Sequence, residues 1–106
     1  MEIAVRPRET SIEEEVRRRV LRLSTPERPI LFLKLSAIGI RGMPDRALLW
    51  YPRRVLFVEF KRPGETPRKL QVYIHDLLRR LGFEVSVHDD VEEAMASIEA
   101  HLGKTE

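Results

Sequence analysis

Apolar residues recur along the chain in two periods, one near four residues and one of two. Near the start, Ile12, Val16 and Val20 fall on one face of a helix. Ser11 with Glu14 reads as a capping box opening that helix, and Ser24-Thr25-Pro26 closes it, because proline cannot continue the hydrogen-bond ladder. Ile30 to Leu35 is almost continuously apolar, the pattern of a strand buried on both faces. Residues 36–44 carry two glycines and a proline and read as a loop. Arg46–Tyr51 and Arg54–Lys61 are two short strands joined at Pro52-Arg53, hence a hairpin. Thr66-Pro67 opens a second long helix with Leu70, Ile74, Leu77, Leu78 and Leu81 as its apolar stripe, and Gly82 stops it. Phe83, Val85 and Val87 alternate with Glu84, Ser86 and His88, the period of a half-buried strand. Asp90 with Glu93 is a second capping box, opening a last helix with Val91, Met95, Ile98 and Leu102 facing inward. The order α-β-β-β-α-β-α predicts one α/β domain around a mixed sheet of about four strands.

Length allows no more than that, since 106 residues make one domain, residues 1–106 with a core over about 9–102. The absence of cysteine excludes a disulfide framework and a thiolate metal site. The longest apolar run is the five residues Ala47–Tyr51, far short of the roughly 18 that span a bilayer, so no membrane partner is expected. Charge adds more. The formal net charge of +2 is a cancellation: residues 1–33 carry +1, residues 34–80 carry +7 and residues 81–106 carry −6. A strongly basic middle points to a polyanionic partner.

Within that basic middle, Asp45 opens one hairpin strand and Glu59-Phe60-Lys61 ends the other. With the turn near Pro52-Arg53, paired positions sum to 104 or 105, which sets the two carboxylates across the hairpin from one another. Glu59 and Lys61 then share one face, and Leu56, Val58 and Phe60 the other. Ending an apolar strand with two ionised groups is costly without compensation. A divalent cation held by hard oxygen ligands is one compensation. A surface ion pair, Glu59–Lys61 or Asp45–Arg46, is the other.

These residues resemble a known family. An aspartate, a thirteen-residue gap and Glu-x-Lys on the second strand of a hairpin look like the PD-(D/E)xK nuclease signature. More narrowly, Ile12-Glu13, Lys34, Gly42-Met43-Pro44-Asp45-Arg46, Val58-Glu59-Phe60-Lys61 and Gln71 resemble the virus-type replication-repair nuclease domain (VRR-NUC), from about Glu9 to Ala94. The resemblance implies a restriction-endonuclease-like fold and a magnesium-dependent nuclease, with manganese able to substitute. It implies Asp45, Glu59 and the backbone carbonyl of Phe60 as metal ligands, Lys61 as the catalytic lysine and Gln71 as support for the lysine or the scissile phosphate. Glu13 matches the glutamate of the first helix, with Glu9, Glu14 and Glu15 close enough to take its place. Small stand-alone members are implied to be homodimers that cut branched DNA such as four-way (Holliday) junctions. Flap or duplex-end cleavage is the alternative, as is a DNA-binding module without catalysis. The compartment implied is a bacterial or phage-infected cytosol.

Lys34, Arg41, Arg53, Arg54, Arg62, Arg68 and Lys69 are the candidates for contact with backbone phosphates. Glu14–Arg18 and Glu15–Arg19 have the spacing of solvated helix ion pairs. His75 lies one turn beyond Gln71 and reads as solvated, with DNA contact as the alternative. His88 and His101 lack spaced partners for a metal, and Trp50 and Tyr51 read as core or interface.

Overall fold

The structure is a computed structural model and describes residues 8–103. It has the element order read from the sequence: α1 (Glu9–Leu23), β1 (Ile30–Lys34), β2 (Arg46–Trp50), β3 (Arg54–Phe60), α2 (Lys69–Arg80), β4 (Glu84–His88) and α3 (Val91–Leu102). The four strands form one sheet in the order β1-β2-β3-β4. The first three are antiparallel neighbours, and β4 lies parallel to β3 after the α2 crossover. The hairpin register pairs Arg46 with Val58 and Trp50 with Arg54, so paired numbers sum to 104, one of the two registers the turn predicted.

Strand alternation sorts the side chains. Leu48, Leu56, Val58 and Phe60 point to one face, where α1 and α3 cover them with Val16, Val20 and Ile98; all seven are 0–1% exposed. Complete burial stabilises such side chains by about 1.5–3 kcal/mol each, so this layer holds the fold. Trp50 joins the core at 9% exposed, while Tyr51 in the turn is 85% exposed. The Asp90 cap is present, its Oδ2 accepting from the Glu93 N–H at 2.9 Å. The Glu93 carboxylate, however, turns to His88 Nδ1 at 3.4 Å instead of completing a box.

Four local expectations are corrected. Helix α1 starts at Glu9 with Arg8 as its uncapped N-cap, so Ser11 and Glu14 lie inside the helix; the Arg8 carbonyl takes the first amide bonds. Arg19 does pair with Glu15 at 3.0 Å, but Arg18 also turns to Glu15, at 2.7 Å, leaving Glu14 to Arg17 at 3.5 Å. Strand β1 is a sheet edge with only one buried face, Leu31 being 59% and Leu33 41% exposed. Helix α2 starts at Lys69, two residues after Pro67, and its apolar stripe is only partly covered: Ile74 and Leu78 are half-buried, whereas Leu70 is 47%, Leu77 38% and Leu81 66% exposed. The cause of the last is architectural. Among the described residues α2 is the one helix on the second face of the sheet, where it rests on β4, and no further layer covers its other side.

Candidate active site

The second face of β3 ends in the two ionisable groups that made its sequence unusual. Glu59 is 2% and Lys61 7% exposed, so a surface ion pair does not describe them. Lys61 continues past the strand because its N–H donates to the His88 carbonyl at 2.9 Å, which keeps its side chain on the side of Glu59. The alternative Asp45–Arg46 pair does not form. Arg46 lies on the core face at 5% exposed, where its Nε donates to Glu13 Oε2 at 2.7 Å and its guanidinium stacks 5.2 Å from the Phe32 ring centroid.

Asp45 is fixed from both ends. Its carbonyl accepts from the Leu35 N–H at 2.9 Å, and its Oδ2 accepts from the Phe60 N–H at 2.8 Å, tying the carboxylate to the strand that bears Glu59. The loop before it presses on α2. Gly42 has φ +86°, and a Cβ there would lie 2.8 Å from the Leu70 carbonyl oxygen and 2.9 Å from Ile74 Cγ1. Only glycine meets both demands, which gives the Gly-x-Pro-Asp spelling a mechanical reason.

Helix α2 contributes Gln71. Its Oε1 accepts from Lys61 Nζ and from the Arg68 N–H, both at 2.8 Å, while its Nε2 donates to Glu59 Oε2 at 3.0 Å. Two donors at one end and a carboxylate at the other leave the amide one orientation. Lys61 Nζ also stands 3.4 Å from Glu59 Oε2. The same helix corrects the reading of His75: it is not solvated but 2% exposed, the one buried residue of α2. Its Nε2 lies 3.8 Å from Glu59 Oε1, and neither atom has a hydrogen-bond partner.

Electrostatics follows from this packing. Burial, then the Asp45 charge, pushes the Glu59 carboxyl up to about 7, against the pull of Lys61; Glu9 adds to the rise. Asp45 is also raised, by burial first and then by Glu13 and Glu9, with the Phe60 N–H opposing. Burial and the cations Arg79 and Lys61 lower His75, which favours neutral imidazole. Two carboxyls that resist ionisation, one with an orphaned buried oxygen, are a donor set short of positive charge. Hard oxygen ligands of this kind suit magnesium, which keeps several waters and needs few protein groups. Among the described residues no cluster of three or more His, Asp or Glu side chains is gathered as a metal cage, so the fit is to a carboxylate pair and not to a closed site.

The remaining site residues divide. A cleft of about 280 Å³ beside Asp45 is lined by Glu13, Lys34 and Arg41. A second, of about 580 Å³, is lined by Glu9, Arg62 and Arg68. Exposed Lys69 follows Arg68 at the first position of α2. Arg53 and Arg54 stand apart, at the hairpin end of β3, five residues from Glu59 and so about 16 Å along the strand. Glu13 lines the cleft but gives one oxygen to Arg46, whereas Glu9, one turn earlier on the same face, influences both Asp45 and Glu59. The four-residue spacing of Glu9 and Glu13 was the available signal for the former. For His75 the signal was a polar residue one turn after Gln71, which a solvated helix face would also show.

Among the described residues no helix is long and apolar enough to cross a membrane. No known protein-family profile matches the chain. It is, however, 35% identical over 82 residues to "Putative nuclease p44" of Acyrthosiphon pisum secondary endosymbiont phage 1, a match that covers 77% of this chain and 83% of the phage protein. A likeness of that extent, spanning most of both chains, makes this chain a member of the nuclease family to which the phage protein belongs.

Proposed function

We propose that the protein is a metal-dependent, structure-selective DNA endonuclease of the VRR-NUC type, which resolves four-way junctions as a homodimer. The observation that carries this reading is the assembly at the end of β3: Asp45 bound to the Phe60 N–H, and Glu59, Lys61 and Gln71 joined in one hydrogen-bonded set. Asp45, Glu59 and the Phe60 carbonyl are the ligands we assign to magnesium or manganese, with Glu13 or Glu9 adding negative charge from α1. When bound, such an ion would polarise the phosphodiester and acidify water for attack on phosphorus.

The chain's own groups supply the rest. Lys61, desolvated and held by Gln71, is placed to orient the attacking water or to offset charge developing on the phosphate. Lys34 and Arg41 on one side, and Arg62, Arg68 and Lys69 on the other, flank the carboxylates and would take backbone phosphates. Such contacts read charge and shape, so binding should weaken steeply with salt. Arg53 and Arg54, at the far end of the hairpin, would reach DNA only well away from the cut.

Purified protein should cut a four-way junction with magnesium or manganese and stop with EDTA. Equal cutting in EDTA, or binding with no cutting under any cation, would overturn the reading; a preference for flaps or duplex ends would replace only the junction.

The homodimer has its own support. Leu31 and Leu33 on the open half of the second sheet face, with Tyr73 and Leu77 on α2, are 38–63% exposed. Exposed apolar groups in such number on one side of a small domain mark an interaction surface, and paired cuts need two sites. Light scattering on a gel-filtration peak should give twice the 12.4 kDa chain mass at micromolar concentration. A monomer there would remove the dimer from the proposal.

A further inference from the structure

His75 is buried on α2 with no partner at Nε2. Burying an imidazole on a helix whose Leu70 and Leu77 stay exposed inverts the usual order of burial. No hydrogen bond compensates it at Nε2, and Glu59 Oε1, 3.8 Å away, is orphaned as well. Leaving two such atoms buried and unpaired costs a folded protein free energy, so the arrangement calls for a functional account.

The geometry points to His75 as a positioning residue for Glu59: its Nε2–H is the donor that fixes Oε1 when the carboxylate turns to hold a divalent cation. This rests on the reading of Glu59 as a metal ligand. The carboxylate is already gripped on Oε2 by Gln71 Nε2 and Lys61, so its one remaining freedom is rotation about that grip, which swings Oε1. At 3.8 Å His75 stands just beyond bonding distance of that oxygen, the one Gln71 does not bond. A small rotation closes the gap and leaves a lone pair of Oε1 for the ion. Ligating carboxylates commonly need such an outer partner, and its loss costs about 10–100-fold in metal affinity. A neutral imidazole with its proton on Nε2 meets the need without adding a charge that would repel the cation.

The test compares manganese binding by calorimetry with thermal stability of the metal-free protein. His75→Met removes the donor and fills the space with a flexible apolar chain. It should melt no lower than the parent without metal and bind manganese about 10-fold more weakly. His75→Gln, which keeps an N–H, should recover most of the affinity. A methionine variant with parental affinity would overturn the proposal, as would glutamine and methionine variants equally impaired. Should neither variant fold, nitrogen-labelled histidine in the parent protein decides by NMR. Nε2 should carry an exchange-protected proton with magnesium bound, and an unprotonated Nε2 would overturn the role. Glu59→Gln separates the two levels: if it binds manganese like the parent, the metal site itself is wrong, whereas unimpaired His75 variants beside an impaired Glu59→Gln remove only the positioning role.

Discussion

A Lys61→Met variant should bind manganese and junction DNA nearly as the parent does, yet cleave on the order of 10²–10³-fold more slowly. The asymmetry follows from where the ammonium sits. It is 7% exposed, 2.8 Å from Gln71 Oε1 and 3.4 Å from Glu59 Oε2, so its charge acts in a water-poor setting and at fixed range. A charge held in that way assists most when new negative charge forms on phosphate and least in simple binding, so the loss falls on the rate. Methionine keeps the aliphatic stem and its packing, which separates loss of charge from loss of structure. Lys61→Arg should stay impaired, because a planar guanidinium cannot occupy the site of a compact ammonium bonded to one amide oxygen. Single-turnover cleavage with saturating magnesium is the measurement. A rate within a few-fold of the parent would remove Lys61 from the chemistry.

Glu59→Gln should stabilise the metal-free protein, and by more as pH rises. In the folded chain the Glu59 carboxyl titrates at about 7, against 4.5 when exposed. Between those values the folded state holds a proton that the unfolded state has released, so the parent loses stability as pH climbs through this window. The full difference is roughly 3 kcal/mol, or about 10–20 °C in melting temperature for a domain of this size. Glutamine imitates the protonated form and is spared the loss. The two proteins should therefore melt together near about pH 5 and diverge toward about pH 8. Comparing them isolates Glu59 from His75 and His88, whose lowered values act with the opposite sign below their ordinary range, since those imidazoles must charge on unfolding. Magnesium should return the parent toward the variant at high pH and do little at low pH, where protons compete for the same oxygens. Parallel melting curves at every pH would show that Glu59 ionises freely.

Much of this was legible from residue order. The hairpin register needed only the Pro52-Arg53 turn and counting, and it put Asp45 at the start of one strand and Glu59 at the end of its partner. Gly42 could be seen as a loop glycine, but its closeness to Leu70 and Ile74 of α2 spans 28 and 32 positions of sequence and has no local trace. The stripe on α2 misled for a related reason. Periodicity identifies an apolar face, yet whether a layer covers it is decided by how many helices each side of the sheet receives, and α1 and α3 both went to the other side. The buried Arg46–Glu13 pair was hidden because Arg46 had a nearer candidate in Asp45 and Glu13 was already placed at the site. The candidates for phosphate contact are spread: Lys34 and Arg41 line the cleft with Asp45, Arg62 and Arg68 line the cleft with Glu9, and Arg53 and Arg54 lie at the far end of β3.

The way α2 is attached has a consequence for when the site exists at all. The α1–α3 layer is held by fully buried hydrocarbon, whereas in α2 only His75 is fully buried, Ile74 and Leu78 are half-buried, and Gln71 bonds to Lys61 and Glu59. Segments with so little buried apolar surface open locally at free energies well below that of global unfolding, and their amides exchange early. Each opening of α2 would carry Gln71 away from Lys61 and Glu59 while the core stayed folded. On the proposed reading the site is then a docked sub-state of a stable domain, and a cation or DNA that engaged Glu59 would also hold the helix over it.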